Sequence, residues 1–202
     1  MRRFLLGFVF LIVLAAPAAA APIIFFATLS GPNEQPPNLS PGTGTALVTI
    51  DPVAHTMSVQ AMFQDLTSDN TAAHIHVING PGDANIADTL GPVATTTPTF
   101  AGFPAGTAGT YDATFNMLLA SSYRAGFITD AGGTTALAET ALFAGIMDGR
   151  AYFNIHTTQN PAGEIRGFLQ PQALQAVPEP GTLLLVASGI AGLVRMRNRR
   201  RT

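Results

Sequence analysis

Alternation of apolar and polar residues is the strongest regular signal in this chain. Over residues 55–64, His55, Met57, Val59, Ala61 and Phe63 share one face while Thr56, Ser58, Gln60 and Gln64 share the other, with only Met62 out of step. A period of two predicts a half-buried antiparallel strand. Similar alternation runs through 72–78, 111–117 and 151–156, and shorter β-rich runs occupy 23–29, 46–50 and 165–169. Only 134–147 departs from this pattern: Leu137, Ala141, Leu142 and Ile146 fall at helical spacing, and Asp148 followed by Gly149 supplies a stop. The pattern predicts an all-β antiparallel domain with one short helix.

Between the strands lie segments dense in breakers. SGPNEQPPNLSPGTG is too rich in proline and glycine for a helix or a central strand. Residues 80–109 form a long Gly, Pro, Thr and Ala tract, and loops of this length in compact domains are commonly functional. A turn at Asn160-Pro161-Ala162-Gly163 predicts a hairpin; pairing symmetric about Asn160 sets His156 across from Glu164 and Asn154 across from Arg166.

Both ends of the chain read as addresses. Residues 1–20 carry Arg2 and Arg3, an apolar stretch and small residues at Ala18 and Ala20, the features of a signal peptide cut before Ala21. The C-terminal end has a Val177, Pro178, Glu179, Pro180 motif, an apolar run over 182–194 and an arginine cluster. As a helix that run is about 20 Å long against roughly 30 Å of hydrocarbon, marginal for a permanent span. Its arginines would stay on the cytoplasmic side during export.

Charge is segregated in the same way. The net charge is -2, lysine is absent, and of ten basic residues only Arg124, Arg150 and Arg166 lie between the two ends. The acidic middle excludes a nucleic-acid partner, which demands a basic face. With no cysteine, disulfides, thiolate catalysis and zinc-thiolate sites are excluded as well.

Candidate chemistry centres on histidine. His74 and His76 share one face of their strand, opposite Ala73, Ile75 and Val77, and Asn154 and His156 share a face of theirs. Two readings follow. In one, His74, His76 and His156 hold copper or zinc, with Glu164, Asn154 and Arg166 as outer partners and Glu164 orienting a ligand. In the other, the histidines hydrogen-bond across strands and to the 80–109 loop. His55 reads as a strand-edge residue and not a fourth ligand. Asp83, Asn85 and Asp88 offer oxygen ligands for calcium without EF-hand spacing, and Asn38-Leu39-Ser40 forms a glycosylation sequon.

Three blocks, LSGPNEQPP, AAHIHVINGPG and YFNIHTTQNPAGEIRGFL, resemble in order the CHRD domain over 24–170. The C-terminal motif, spacer and basic end, 177–202, resemble the PEP-CTERM sorting signal of bacterial envelope proteins. The first resemblance implies an extracellular β-sandwich, immunoglobulin-like or superoxide-dismutase-like. The second implies transient membrane attachment through a C-terminal helix and cutting by an exosortase-type protease after passage through the export machinery. Together they favour a non-enzymatic envelope or matrix module binding polysaccharide or surface proteins. The alternative is a secreted copper or zinc protein, since the His-x-His strand loosely resembles that of copper-zinc superoxide dismutase; the chain shows no obvious full set of bridging and zinc ligands to match.

Overall fold

The computed structural model describes residues 21–84, 89–172 and 189–190. The chain divides into two compact units, Met1–Pro171 and Gln172–Thr202. The expected signal segment, the Val177 to Pro180 motif and all of the C-terminal run but Gly189 and Ile190, which are helical, lie outside the described residues. Among those described, no helix is long and apolar enough to cross a membrane.

In the first unit the expected all-β class holds. Strands β1 (Ile23–Ser30), β2 (Thr43–Asp51), β3 (Thr56–Gln64), β4 (Asn70–Val77), β5 (Gly109–Asn116), β6 (Ala151–Thr157), β7 (Ile165–Phe168) and β8 (Gln170–Pro171) join one antiparallel ladder. Its order is β4-β6-β7-β1-β2-β3-β5, and β8 also pairs with β1. The alternation read from sequence gives the faces correctly on β3: Met57, Val59, Ala61 and Phe63 are buried and Gln60, Met62 and Gln64 exposed.

The ladder curls so that its two ends face each other across one core. Phe100 shows how: its ring stands 5.7 Å from that of Phe153 on β6 and 5.2 Å from that of Phe115 on β5, at opposite ends of the strand order. Phe103 likewise meets both Phe153 and Tyr111. Both come from the tract read as irregular loop, which the structure packs as a strap. Ala94, Thr95 and Phe100 are fully buried within it. Bridges from Val93 to His76 and from Thr95 to Tyr123, with the Phe100 amide donating to the Ala73 carbonyl, attach the strap to β4 and its surroundings.

Two helices accompany the sheet. α1 (Ala125–Asp130) is too short to leave a periodic signature, and α2 (Thr135–Met147) is the expected helix. Thr134 caps α2 by accepting from the Leu137 amide, and Gly149 at φ 69° ends it. Its buried face is Ala138, Leu142, Phe143 and Ile146, whereas Leu137, counted on the apolar face from sequence, is exposed. Gly145 lets α2 approach β4, because a Cβ there would collide with Val77.

Candidate metal centre

The register of β4 and β6 pairs Ala72 with His156, His74 with Asn154 and His76 with Tyr152. Since side chains alternate, these six lie on the outer face while Ala73, Ile75, Phe153 and Ile155 fill the core. β7 adds Arg166 opposite Asn154 and Phe168 opposite Tyr152, the pairing that symmetry about Asn160 requires.

In a half-buried strand the outer face would be wet. Here the strap lies over it, so both faces of β4 are buried, and His74 and His76 are only 6% and 8% exposed. Gly91 is the clamp. Its carbonyl accepts from His76, its amide donates to the Tyr152 hydroxyl at 3.3 Å, and a side chain there would collide with the Val77 carbonyl. Tyr152 in turn stacks on His76, with ring centroids 4.8 Å apart, and the Arg166 guanidinium covers the tyrosine ring.

Each of the three outer histidines is tethered through one ring nitrogen to a backbone carbonyl. His74 Nε2 donates to Pro98 at 2.6 Å, His76 Nδ1 to Gly91 at 2.8 Å and His156 Nδ1 to Pro161 at 3.0 Å. A carbonyl can only accept, so those nitrogens carry the protons. Burial lowers the pKa of His74 to about 4 and of His76 to about 3, against the opposing pull of their carbonyl partners, and lowers that of His156 too. The rings are therefore neutral at pH 7.

What remains on each ring is a bare lone pair. His74 Nδ1, His76 Nε2 and His156 Nε2 are buried without a hydrogen-bond partner. One ring nitrogen from each residue lies within 4.8 Å of the others. Three unpartnered acceptors thus belong to one cluster of rings, and buried polar groups normally have a partner. The donor set fits a borderline transition ion: three neutral imidazoles, each oriented by a carbonyl on its second nitrogen, suit copper or zinc. Three protein ligands also leave a coordination position over.

The proposed outer partners divide. Asn154 lies on the same face, beside His74, and Arg166 lies beyond it with its Nε 3.7 Å from Glu34 Oε2. Glu164 does not orient a histidine. At the mouth of the hairpin its carboxylate turns to Ser40, Thr67 and Thr157, all within 2.8 Å, and His156 is held by Pro161 instead. His55 follows the β2–β3 turn at φ 54° and binds Glu139 of α2, apart from the cluster.

Among the other candidates, Asn38 of the sequon spends its amide nitrogen on the Glu164 carbonyl and its oxygen on the Ser40 amide. In the possible calcium loop, Asp83 accepts from the Asn79 amide, and Asn85 and Asp88 lie outside the described residues. Glu34 went unread as a site residue. A lone acid in a proline-rich loop looks solvated, yet it is 4% exposed, and burial raises its pKa to about 7 although Arg166 opposes the rise. Its place in the first of the three matching blocks was the available signal.

A profile of the CHRD domain matches residues 25–169, and a profile of the PEP-CTERM protein-sorting motif matches 176–201. No curated protein and no solved structure matches the chain. The sorting motif marks an exported protein, anchored at its C-terminal end before processing by an exosortase-type membrane system at the cell envelope. With its curled antiparallel sheet and a family match over most of its length, the chain belongs to the CHRD domain family and carries a PEP-CTERM sorting tail.

Proposed function

We propose that this protein is a non-enzymatic, metal-binding module of the cell envelope, released from its signal peptide after Ala20 and displayed through its sorting tail. His74, His76 and His156 hold one copper or zinc ion, with the Pro98, Gly91 and Pro161 carbonyls orienting the rings. The observation that carries this reading is the clustering of three neutral imidazoles, each with one buried nitrogen that has no partner. A bound ion would supply the positive charge that these lone pairs lack and would bind the strap and the 158–163 turn to the outer face, since each ligand is already tethered to one of them.

The test is metal content. The chain, purified without an affinity tag from cells supplied with copper and zinc, should carry about one equivalent, and His74→Ala/His76→Ala should carry none. Copper-loaded protein should show nitrogen hyperfine coupling in its electron paramagnetic resonance spectrum. A parent that folds and takes up neither ion overturns the proposal. Sustained superoxide turnover by the loaded protein would overturn the non-enzymatic part alone.

A further inference from the structure

The outward face of α2 lacks what a surface helix normally carries. A helix packed on a core turns a charged or polar side to water, yet in Thr135–Met147 the one ionisable residue, Glu139, is buried against His55, and the Thr140 hydroxyl donates back to the Ala136 carbonyl. Leu137 and Met147 are exposed instead. The apolar surface continues past His55. Its carbonyl accepts the Met117 amide, which sets the exposed Leu118 and Leu119 beside the β2–β3 turn with its exposed Val53. Grouped exposed side chains of this kind mark a contact surface.

Its place in the fold selects the partner. α2 spans one end of the curled sheet, from His55 before β3, which Glu139 binds, to Val77 at the end of β4, which Gly145 meets. The chain leaves the sheet at that same end: Gln170 Nε2 stands 4.0 Å from a Cβ built on Gly149, and Pro171 pairs with Phe25. Ten residues, 172–181, separate Pro171 from the apolar run over 182–194, and fully extended they reach no more than about 36 Å. A chain anchored through that run keeps its domain close to the bilayer, attached by this end. Charge agrees. Asp148 pairs with Arg150, Asp51 accepts from the Val53 and Ala54 amides, and among the described residues no basic cluster stands here to recruit anionic headgroups. The surface suits zwitterionic lipid, entered by its leucines.

We propose that in the anchored precursor α2 and the turns at 52–55 and 117–119 lie on the exported side of the bilayer, with Leu118, Leu119, Leu137 and Met147 in the interface of zwitterionic phospholipid. A weak apolar contact suffices there, because the tether makes binding intramolecular at high effective concentration. This surface depends on the tail for its lipid and is independent of metal at the histidines.

The chain has no cysteine, so a single introduced thiol takes a label at one place. Leu119→Cys, Leu137→Cys and, as control, Leu39→Cys each carry a nitrobenzoxadiazole dye in the full chain, reconstituted into phosphatidylcholine vesicles with doxyl groups on their acyl chains. Leu39 is exposed in the loop that joins β1 to β2 at the opposite end of the sheet. Emission from 119 and 137 should be blue-shifted and quenched by the doxyl lipid, and emission from 39 should not. Leu118→Asp/Met147→Asp, both at exposed positions that the fold tolerates, should remove the quenching at 137. A chain that does not float with the vesicles would overturn the anchor on which the surface depends. A chain that floats but shows no lipid quenching at 119 and 137, quenching as strong at 39, quenching only when anionic lipid is added, or a blue shift with energy transfer between copies in place of lipid quenching would overturn the lipid-facing surface alone.

Discussion

The carboxylate of Glu164 accepts the Thr157 hydroxyl at 2.6 Å across the mouth of the β6–β7 hairpin. It also takes the Ser40 hydroxyl at 2.6 Å, the Thr67 hydroxyl at 2.8 Å and the Thr67 amide at 2.6 Å. Burial pushes this acid up, but the four donors outweigh it and hold the pKa below the ordinary range. Glu164→Gln would turn its amide nitrogen either toward the Thr67 N–H, which can only donate, or toward the Thr67 and Thr157 hydroxyls, which already accept from Asn160. The expected loss is about 2–4 kcal/mol in urea unfolding, with metal content per folded molecule unchanged.

Acid sensitivity follows from two opposed sets of groups. The pKa values of His74 and His76 fall from 6.5 to about 4 and about 3, so their contribution is complete above 6.5 and is lost as pH falls toward those values. Glu164 adds a loss in the same direction below 4.5. Glu34 runs the other way: with its pKa raised from 4.5 to about 7, its contribution is complete below 4.5 and is lost as pH rises to about 7. In chelator, the unfolding midpoint of Glu34→Gln should therefore climb more steeply between pH 4.5 and 7 than that of the parent. Parallel curves would contradict the raised acid.

His55 stands apart from the three clustered histidines. Its Nδ1 contacts both oxygens of Glu139, at 3.1 and 2.9 Å, and Glu139 is only 8% exposed. His55→Ala should cost about 1–3 kcal/mol by stranding that carboxylate. Metal stoichiometry should not change, and a drop would make His55 a ligand.

Phe100 holds the curl of the sheet. It is fully buried between β5 and β6, with no ladder hydrogen bonds joining those two strands. Phe100→Ala should cost about 3–5 kcal/mol, measured by thermal or urea unfolding, because aromatic rings on three sides cannot all collapse into the space. A loss below about 1 kcal/mol would mean that the strap does not carry the closure.

The strands, their core faces and the hairpin register were legible because each depends on local alternation and one turn. Asn154 falls opposite Arg166 for no other reason than the position of Asn160. What local pattern could not show was the second burial of β4. Alternation marks His74 and His76 as outward, and only the long-range return of 91–100 makes that face an interior. The same holds for Glu164, whose partners Ser40 and Thr67 are about a hundred residues away in sequence, and for Glu34, buried by a loop from the other end of the domain. In each case the residue type was visible and the neighbour was not.

The pairing of β8 with Phe25 and Phe26 has a mechanical side. The front of the domain and its rear emerge next to each other, at the end of the sheet where β1 begins. Ser30, paired with Arg166, lies at the other end of that strand, roughly 17 Å away at 3.4 Å per residue. Load drawn through the tail enters at a two-residue strand beside the N-terminal edge of β1, and it can peel that strand without first straining the hairpin that carries His156. Among the described residues no rung of the ladder lies ahead of Ile23 or behind Pro171, so a cut beyond either one leaves every described pairing in place.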